Sequence, residues 1–518
     1  MELANKINLR ALACLLFALI YYFLYNAGGQ DAVDHNVQHI AYEFMKVGLL
    51  WALFLLISAH IVPLVIFLPV VFITGAVCRY AKTTYNAVID SYTVPLFFGT
   101  NLREAGEFLS LKGFLMIGIA LFFSFAFIVI AKKFFAKRKE DSKLTFITLL
   151  ITLFALQAGH GFTYGTAPYN FFYASGEYFL NRWQVIHTTR LDISTMPATL
   201  ANENDDLTII FVMGESARGD HFGLNGYARQ TTPLLSKEMH LISFPHVTSC
   251  EVLTRYSVPC IITRATAKDP FAASTETSFI TIFKKLGFPA VWLNGQLMMS
   301  LLADVNIMEH SRLSNEYLTD LNMRYDGDAL PFVQTMLTKY PKKLFFVVHS
   351  IGSHWVYTNR YPAAFRKWTP VCKEYSTSIT GSTQITQMKR CPHNALVNSY
   401  DNSILYTDDF LHKTISLVKH RNALVIYTSD HGESLGENGH FLHGQEADRW
   451  IPEQRNVPLM FWASDIFIKK NPERYKALIA NSRKPASHDN LFHSTLDCAG
   501  IDSSVIDKSL SLCRISKK

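Results

Sequence analysis

Three histidines and three carboxylates follow a short apolar run in VIYTSDHGESLGENGHFLHG (Val425–Gly444). Histidine is the side chain best suited to binding a transition metal or moving a proton near neutral pH, so its density here marks candidate chemistry. Comparable donors end other apolar runs: FVMGES delivers Glu215, WLNG delivers Asn294, FFVVHSIGSH delivers His349 and His354, and VIYTSDH delivers Asp430 and His431. Glu215, Asp430 and His431 form an O,O,N set suited to Zn2+ or Mn2+ with a position open for a reacting group. A hydroxyl bound to such a cation loses its proton near neutral pH and becomes a nucleophile. The segment SCEVLTRYSVPC offers two, Thr254 and Ser257.

Such residues converge only if strands carry them to one edge. The runs LTIIFVMG, FPAVWLNG, KKLFFVVHS, NALVIYTSD and VPLMFW are continuously apolar, the pattern of strands buried on both faces. They predict an α/β domain with a mainly parallel central sheet from about residue 207 to 518. Ligand sites of such sheets form at the carboxyl ends of the strands.

The first third of the chain is different. Of 518 residues 49% are hydrophobic and 18% charged, and apolar segments fall at Leu9–Tyr25, Phe44–Ala59, Ile61–Cys78, Phe114–Ala131 and Leu144–Ala158. Each is read as a membrane span, giving a five-helix transmembrane domain over 1–160. The basic loop KKFFAKRKEDSK (Lys132–Lys143) places that side in the cytoplasm, so an odd number of spans puts the rest of the chain outside it. Residues 161–206 are read as an aromatic interfacial helix followed by the linker STMPATLANENDD. Six cysteines lie in the exported part, and their proximity in sequence predicts disulfides Cys250–Cys260, Cys372–Cys391 and Cys498–Cys513, as an oxidising compartment allows. The net charge of +7 forms no long basic stripe, which argues against nucleic acid as a partner.

Several blocks together carry a resemblance: GESARGDHFGLNGYARQTTP (Gly214–Pro233), SCEVLTRYSVPC (Ser249–Cys260), HSIGSH (His349–His354), RYPAAFRKWTPVC (Arg360–Cys372), NSYDNSILYTD (Asn398–Asp408) and SDHGESLGENGHFLHG (Ser429–Gly444). In these the chain resembles the phosphoethanolamine transferases of the alkaline phosphatase/sulfatase superfamily, the group of lipid A modifying enzymes that cause polymyxin resistance. The resemblance implies an alkaline-phosphatase-like sandwich in the periplasm of a multi-pass bacterial inner-membrane protein. It implies zinc held by Glu215, Thr254, Asp430 and His431, with Thr254 as nucleophile. His354 and His443 are implied to bind a second zinc or the donor phosphate and to supply the general acid. Phosphatidylethanolamine is the implied donor and lipid A, or another lipopolysaccharide group, the acceptor, in a monomer. Core heptose, another surface glycan and phosphoglycerol transfer are the alternatives. Thr100 and Glu104 match residues that line the donor site, and Asn294 joins them as a substrate-binding candidate. Leu96 and Met298 depart from the pattern, where the family carries asparagine and lysine.

Overall fold

The computed structural model describes residues 2–27, 37–58, 61–85, 89–90, 93–94, 110–135, 142–157, 166–269, 275–294, 307–310, 325–372, 388–444 and 451–515. Thr100, Glu104, Leu96 and Met298 lie outside the described residues. The chain divides into two units, with the division between Ile186 and His187.

The N-terminal unit is helical. Helices span Glu2–Tyr25, Val37–Ile57, Ile61–Tyr85, Leu111–Phe135, Ser142–Gln157 and Tyr169–His187. Helix is what apolar chain must adopt in hydrocarbon, because it closes its own backbone hydrogen bonds. Five helices thus cover the five expected spans, but among the described residues only two windows, Leu64–Thr84 and Leu111–Lys132, are long and apolar enough to cross a membrane. The reason is local. Ser142–Gln157 has 16 residues, a rise of only about 24 Å at 1.5 Å per residue. Val37–Ile57 spends its first half on Gln38, His39, Glu43 and Lys46. Some polar groups inside the unit find partners there: Arg10 Nη2 donates to Leu55 O at 2.6 Å and Nε to Ser58 Oγ at 3.1 Å, and Tyr21 donates to Val71 O at 3.0 Å.

The C-terminal unit is built on a seven-stranded sheet. We label its strands β1 (Thr208–Gly214), β2 (Leu241–Phe244), β3 (Ala290–Asn294), β4 (Ile307–His310), β5 (Leu344–His349), β6 (Ala423–Ser429) and β7 (Leu459–Ala463). Their order across the sheet is β2-β7-β6-β1-β5-β3-β4. The five apolar runs all became strands, but the sheet is mixed. β7 runs antiparallel to both β6 and β2, while β6, β1, β5, β3 and β4 pair in parallel. Strand direction is invisible to an apolar run, which reads the same both ways. Every residue of β1, β5 and β6 is buried. Ile209, Phe211 and Met213 of β1 face one core with the helices Thr254–Ile262 and Leu491–Cys498, and Ile210 and Val212 face the other with Leu330–Lys339 and His393–Val418. The two cores make a sandwich with the sheet as its middle layer.

The stretch read as a linker is structured. Ala198–Leu200 pairs antiparallel with Ile501–Ser503, and buried Asn204 donates from Nδ2 to Ala499 O and Asn471 Oδ1, both at 2.9 Å. Its polar composition looks like solvated chain because the asparagines satisfy backbone and side-chain groups of distant segments, a use that local sequence does not reveal. The three expected disulfides are all formed, and the remaining cysteines, Cys14 and Cys78, are buried and free.

Candidate metal centre

Parallel pairing fixes which residues meet. β1 and β6 align Gly214 with Ser429, so the next residues, Glu215 and Asp430, leave the sheet side by side. β5 and β3 align His349 with Asn294 at the same edge. Glu215 then enters a tight turn in which Ser216 takes φ 55°, a left-handed conformation that costs a non-glycine residue about 1 kcal/mol or more. Ser216 is held there: its N donates to Asp430 Oδ1 at 3.2 Å, its Oγ to Glu215 Oε1 at 2.6 Å, and its carbonyl accepts from Tyr400 Oη at 2.6 Å. Gly352, at φ +54°, lies flat against the same turn, where a Cβ would come within 2.6 Å of Glu215 O.

Thr254 reaches this centre from the other side of the chain. It opens the helix Thr254–Ile262, inside the loop closed by Cys250–Cys260. Its Oγ1 donates to Glu215 Oε2 at 3.1 Å and lies 3.3 Å from His431 Nε2. His431 Nε2 is also 3.5 Å from Glu215 Oε1 and 3.3 Å from Asp430 Oδ2. Ser257, the other hydroxyl of that loop, is fully buried and donates to Asp430 O, so it ties backbone instead of facing the centre. His488 completes the tie. Its Nε2 donates to Ser429 O at 3.0 Å and its Nδ1 accepts from Cys250 N at 3.2 Å, joining the Thr254 loop to the end of β6.

The donor set fits a divalent cation. Glu215, Asp430 and His431 are essentially inaccessible, and Asp430 Oδ2 has no hydrogen-bond partner among the described residues. An orphaned carboxylate oxygen in a buried anionic cluster is costly unless a cation meets it. Burial pushes the Glu215 carboxyl well above its ordinary range and the Asp430 charge pushes it further. At Asp430 burial pulls upward too, but neighbouring groups, His431 first among them, outweigh it and hold the carboxyl low. His431 is oriented to act as a ligand as well, since its Nδ1 donates to Gly432 O at 2.8 Å, which fixes the tautomer with its Nε2 lone pair toward the cluster.

His443 comes closer than its place in the sequence implies. Its ring centroid is 4.0 Å from that of His431, and Glu215, His431 and His443 can each bring a donor atom within 4.8 Å of the others. Its Nδ1 donates to Glu433 Oε2 at 2.7 Å. Burial lowers its pKa, but Glu433 overrides that and holds it above the ordinary histidine value. Tyr357 anchors the other oxygen of Glu433 at 2.7 Å. The His354 ring is 6.2 Å from His443, with Nδ1 donating to Trp355 O. Burial, with Arg360 nearby, lowers its pKa to about 3, so it is a neutral donor. His349 is buried at the end of β5, its pKa lowered by burial to about 4. Asn294 closes β3 at the same sheet edge. Sequence reasoning missed Ser216, Tyr400, Glu433 and His488 as parts of this site. Glu433 could have been found in the DHGES run, whereas the left-handed φ of Ser216 leaves no mark in composition.

With this geometry in hand, the comparisons are decisive for family. The sulfatase family model matches residues 208–501, more than half of the chain, and a second, described as phosphoethanolamine transferase EptA/EptB, matches residues 47–173. The soluble domain of lipooligosaccharide phosphoethanolamine transferase A from Neisseria meningitidis is 30% identical, with a TM-score of 0.56, over 62% of this chain and 97% of that one. This chain belongs to the phosphoethanolamine transferases of the sulfatase family. Another member, the phosphoethanolamine transferase EptA of Salmonella typhimurium, is 33% identical over 346 residues, 62% of this chain. That match spans 59% of the length of the Salmonella transferase. The integral membrane transferase from Neisseria meningitidis, 23% identical with a TM-score of 0.79, covers 97% of this chain and 98% of its own and shares the fold.

Two expected outcomes arise from this part of the chain. Cys250–Cys260 and Cys498–Cys513 close loops with separations of 10 and 15 residues, so replacing either pair by serine is expected to lower unfolding free energy by about 3 kcal/mol. Chemical denaturation combined with a transfer assay separates them: only the Cys250/Cys260 pair should also lower turnover, because only it holds Thr254. The second concerns acid. Burial lowers the pKa of His493 from 6.5 to about 4, so below pH 6.5 the unfolded chain takes up a proton that the folded one refuses. Stability present above pH 6.5 is lost as pH falls toward 4, by about 1.4 kcal/mol per unit for this residue. Denaturant midpoints measured across that range should fall, and His493→Gln should flatten the fall.

Proposed function

We propose that the protein transfers phosphoethanolamine from phosphatidylethanolamine to lipid A, or to another lipopolysaccharide group, through a covalent phosphoethanolamine-threonine at Thr254. The observation that carries this reading is the Thr254 hydroxyl, half-buried at the opening of its helix and hydrogen-bonded to Glu215 beside Asp430 and His431. Zinc held by Glu215, Thr254, Asp430 and His431 would lower the pKa of that hydroxyl and neutralise charge on the phosphoryl oxygens. The hydroxyl proton leaves toward Glu215 Oε2 as Thr254 Oγ1 attacks phosphorus. His443, held as an acid by Glu433, gives a proton to the departing diacylglycerol oxygen. In the second half His443 takes the proton of the acceptor hydroxyl or phosphate, whose oxygen attacks the same phosphorus, and Thr254 leaves as its oxygen takes back the proton from Glu215 Oε2. His354 presents a neutral imidazole beside His443 for the phosphoryl group or a second zinc. Asn294, at the same sheet edge, and Thr100 and Glu104 complete the donor contacts in this reading.

The setting follows from lipid substrates. In this reading residues 1–160 cross the bacterial inner membrane five times, 161–206 lead out of it, and 207–518 act as a monomer in the periplasm. Mass spectrometry of lipid A and core oligosaccharide from a polymyxin-sensitive host expressing the protein tests the proposal. A phosphoethanolamine increment on lipid A is expected. An increment on core sugars alone would move the acceptor, and none anywhere, with the protein in the membrane and loaded with zinc, would overturn the proposal.

A further inference from the structure

We propose that the N-terminal unit holds a binding site for the phosphate of an anionic glycerophospholipid, at the end of its spans remote from the basic loop Lys132–Lys143. A cavity of about 340 Å3 is lined by Leu24, Tyr25, Arg79, Thr83, Lys112, Met116 and Ile119, from the helices Glu2–Tyr25, Ile61–Tyr85 and Leu111–Phe135. That volume falls in the range of about 300 to 1,000 Å3 common for ligand clefts. Its lining is polar in one part and apolar in another. On one rim Lys112 Nζ donates to Thr83 Oγ1 at 3.0 Å, Thr83 Oγ1 donates to Arg79 O at 2.8 Å, and Arg79 Nη1 donates to Ala27 O at 2.7 Å. These bonds fix two cations and a hydroxyl on neighbouring helices. One and two turns along the same helix from Lys112, Met116 and Ile119 are apolar, and the exposed side chains of Leu115, Ile119 and Phe122, spaced i, i+4, i+7, continue an apolar face outward.

Charge placement gives the second argument. Lys112 and Lys132 lie on one helix 20 positions apart, about 30 Å at 1.5 Å per residue. The excess of basic residues assigns the Lys132 end to the cytoplasm, so Lys112 and Arg79 stand on the face where that bias predicts few cations. Two fixed cations on neighbouring helices can hold a local anion. A lipid phosphate supplies it, with the arginine fork suited to two phosphate oxygens and the lysine to a third. Among the described residues two cations and no carboxylate line the cavity, a balance that favours the phosphate over the ammonium of a headgroup. The site therefore selects a lipid of net negative charge, such as phosphatidylglycerol, with an acyl chain along the Leu115–Phe122 face. This inference rests on the membrane reading of the two apolar helices and is independent of the transfer chemistry at Thr254.

The test is native mass spectrometry of the full chain in detergent, offered dioleoylphosphatidylglycerol, dioleoylphosphatidylethanolamine or inorganic phosphate. One phosphatidylglycerol should be retained per chain, about tenfold more than phosphatidylethanolamine, and Arg79→Gln with Lys112→Gln should reduce retention about tenfold or more. Because Lys112 is exposed, Lys112→Gln alone should fold and still weaken retention, with Lys112→Arg restoring it. Equal retention of the two lipids, or retention unchanged in the variants, would overturn the proposal. Stoichiometric binding of inorganic phosphate in place of lipid would overturn the lipid as its source.

Discussion

Under the proposed mechanism, replacing Thr254 by alanine is expected to lower phosphoethanolamine transfer by at least about 10^4-fold while leaving the fold intact, because a nucleophile that carries a covalent intermediate has no partial substitute. The neighbouring hydroxyl cannot take over. Ser257 is fully buried and donates to Asp430 O, so it lies behind the ligand-bearing strand. The variant removes one hydroxyl from a half-buried position where it meets Glu215 and His431, and the helix that starts there has no side-chain cap to lose. Stability should therefore change by less than about 1 kcal/mol. A transfer assay with circular dichroism and denaturation on the same preparation checks both halves. Near-parental turnover would place the nucleophile elsewhere.

The second large effect concerns Asp430→Asn, expected to separate metal affinity from intrinsic stability. In the metal-free protein Asp430 and Glu215 crowd two carboxyls into a buried site, and Asp430 Oδ2 has no partner among the described residues. An amide there keeps the acceptor that serves Ser216 N and His431 N, removes one negative charge, and places a donor where Oδ2 lies 3.3 Å from His431 Nε2. The metal-free variant should be as stable as the metal-free parent or more so. Zinc response should behave oppositely. At a thousandfold excess over Kd zinc should stabilise the parent by about 4 kcal/mol, and the variant should lose most of that. Thermal unfolding with and without zinc, beside metal analysis, resolves the two. A variant that is less stable without zinc yet retains full metal content would contradict this reading of the centre.

What local sequence reveals and what it hides can be seen residue by residue. The runs that became β1, β3, β5, β6 and β7 are legible because a strand buried on both faces must be apolar throughout. Their carboxyl ends collect Glu215, Asn294, His349 and Asp430 because parallel pairing leaves no other arrangement. The short strand β2 and the antiparallel course of β7 are set by partners distant in sequence, the four-residue β4 is too short to stand out, and apolar patterning is silent on direction. The strand Ala198–Leu200 is hidden by polar neighbours whose partners lie some 300 positions away. Within the site, the donors could be read from residue type. The left-handed turn at Ser216, the tie made by His488 and the nearness of His443 to His431 depend on tertiary geometry alone. Span counting shows the converse limit: apolar composition marks five segments, while length in the helix admits two among the described residues.

The most direct test of the central claim is intact-protein mass spectrometry of the zinc-loaded chain after exposure to phosphatidylethanolamine with no acceptor present, followed by peptide mapping. A nucleophilic Thr254 predicts a mass increment of one phosphoethanolamine group on the peptide that contains it, absent in Thr254→Ala and discharged when lipid A is added. A zinc-loaded protein that releases diacylglycerol without ever carrying that increment, or carries it on another residue, would contradict it.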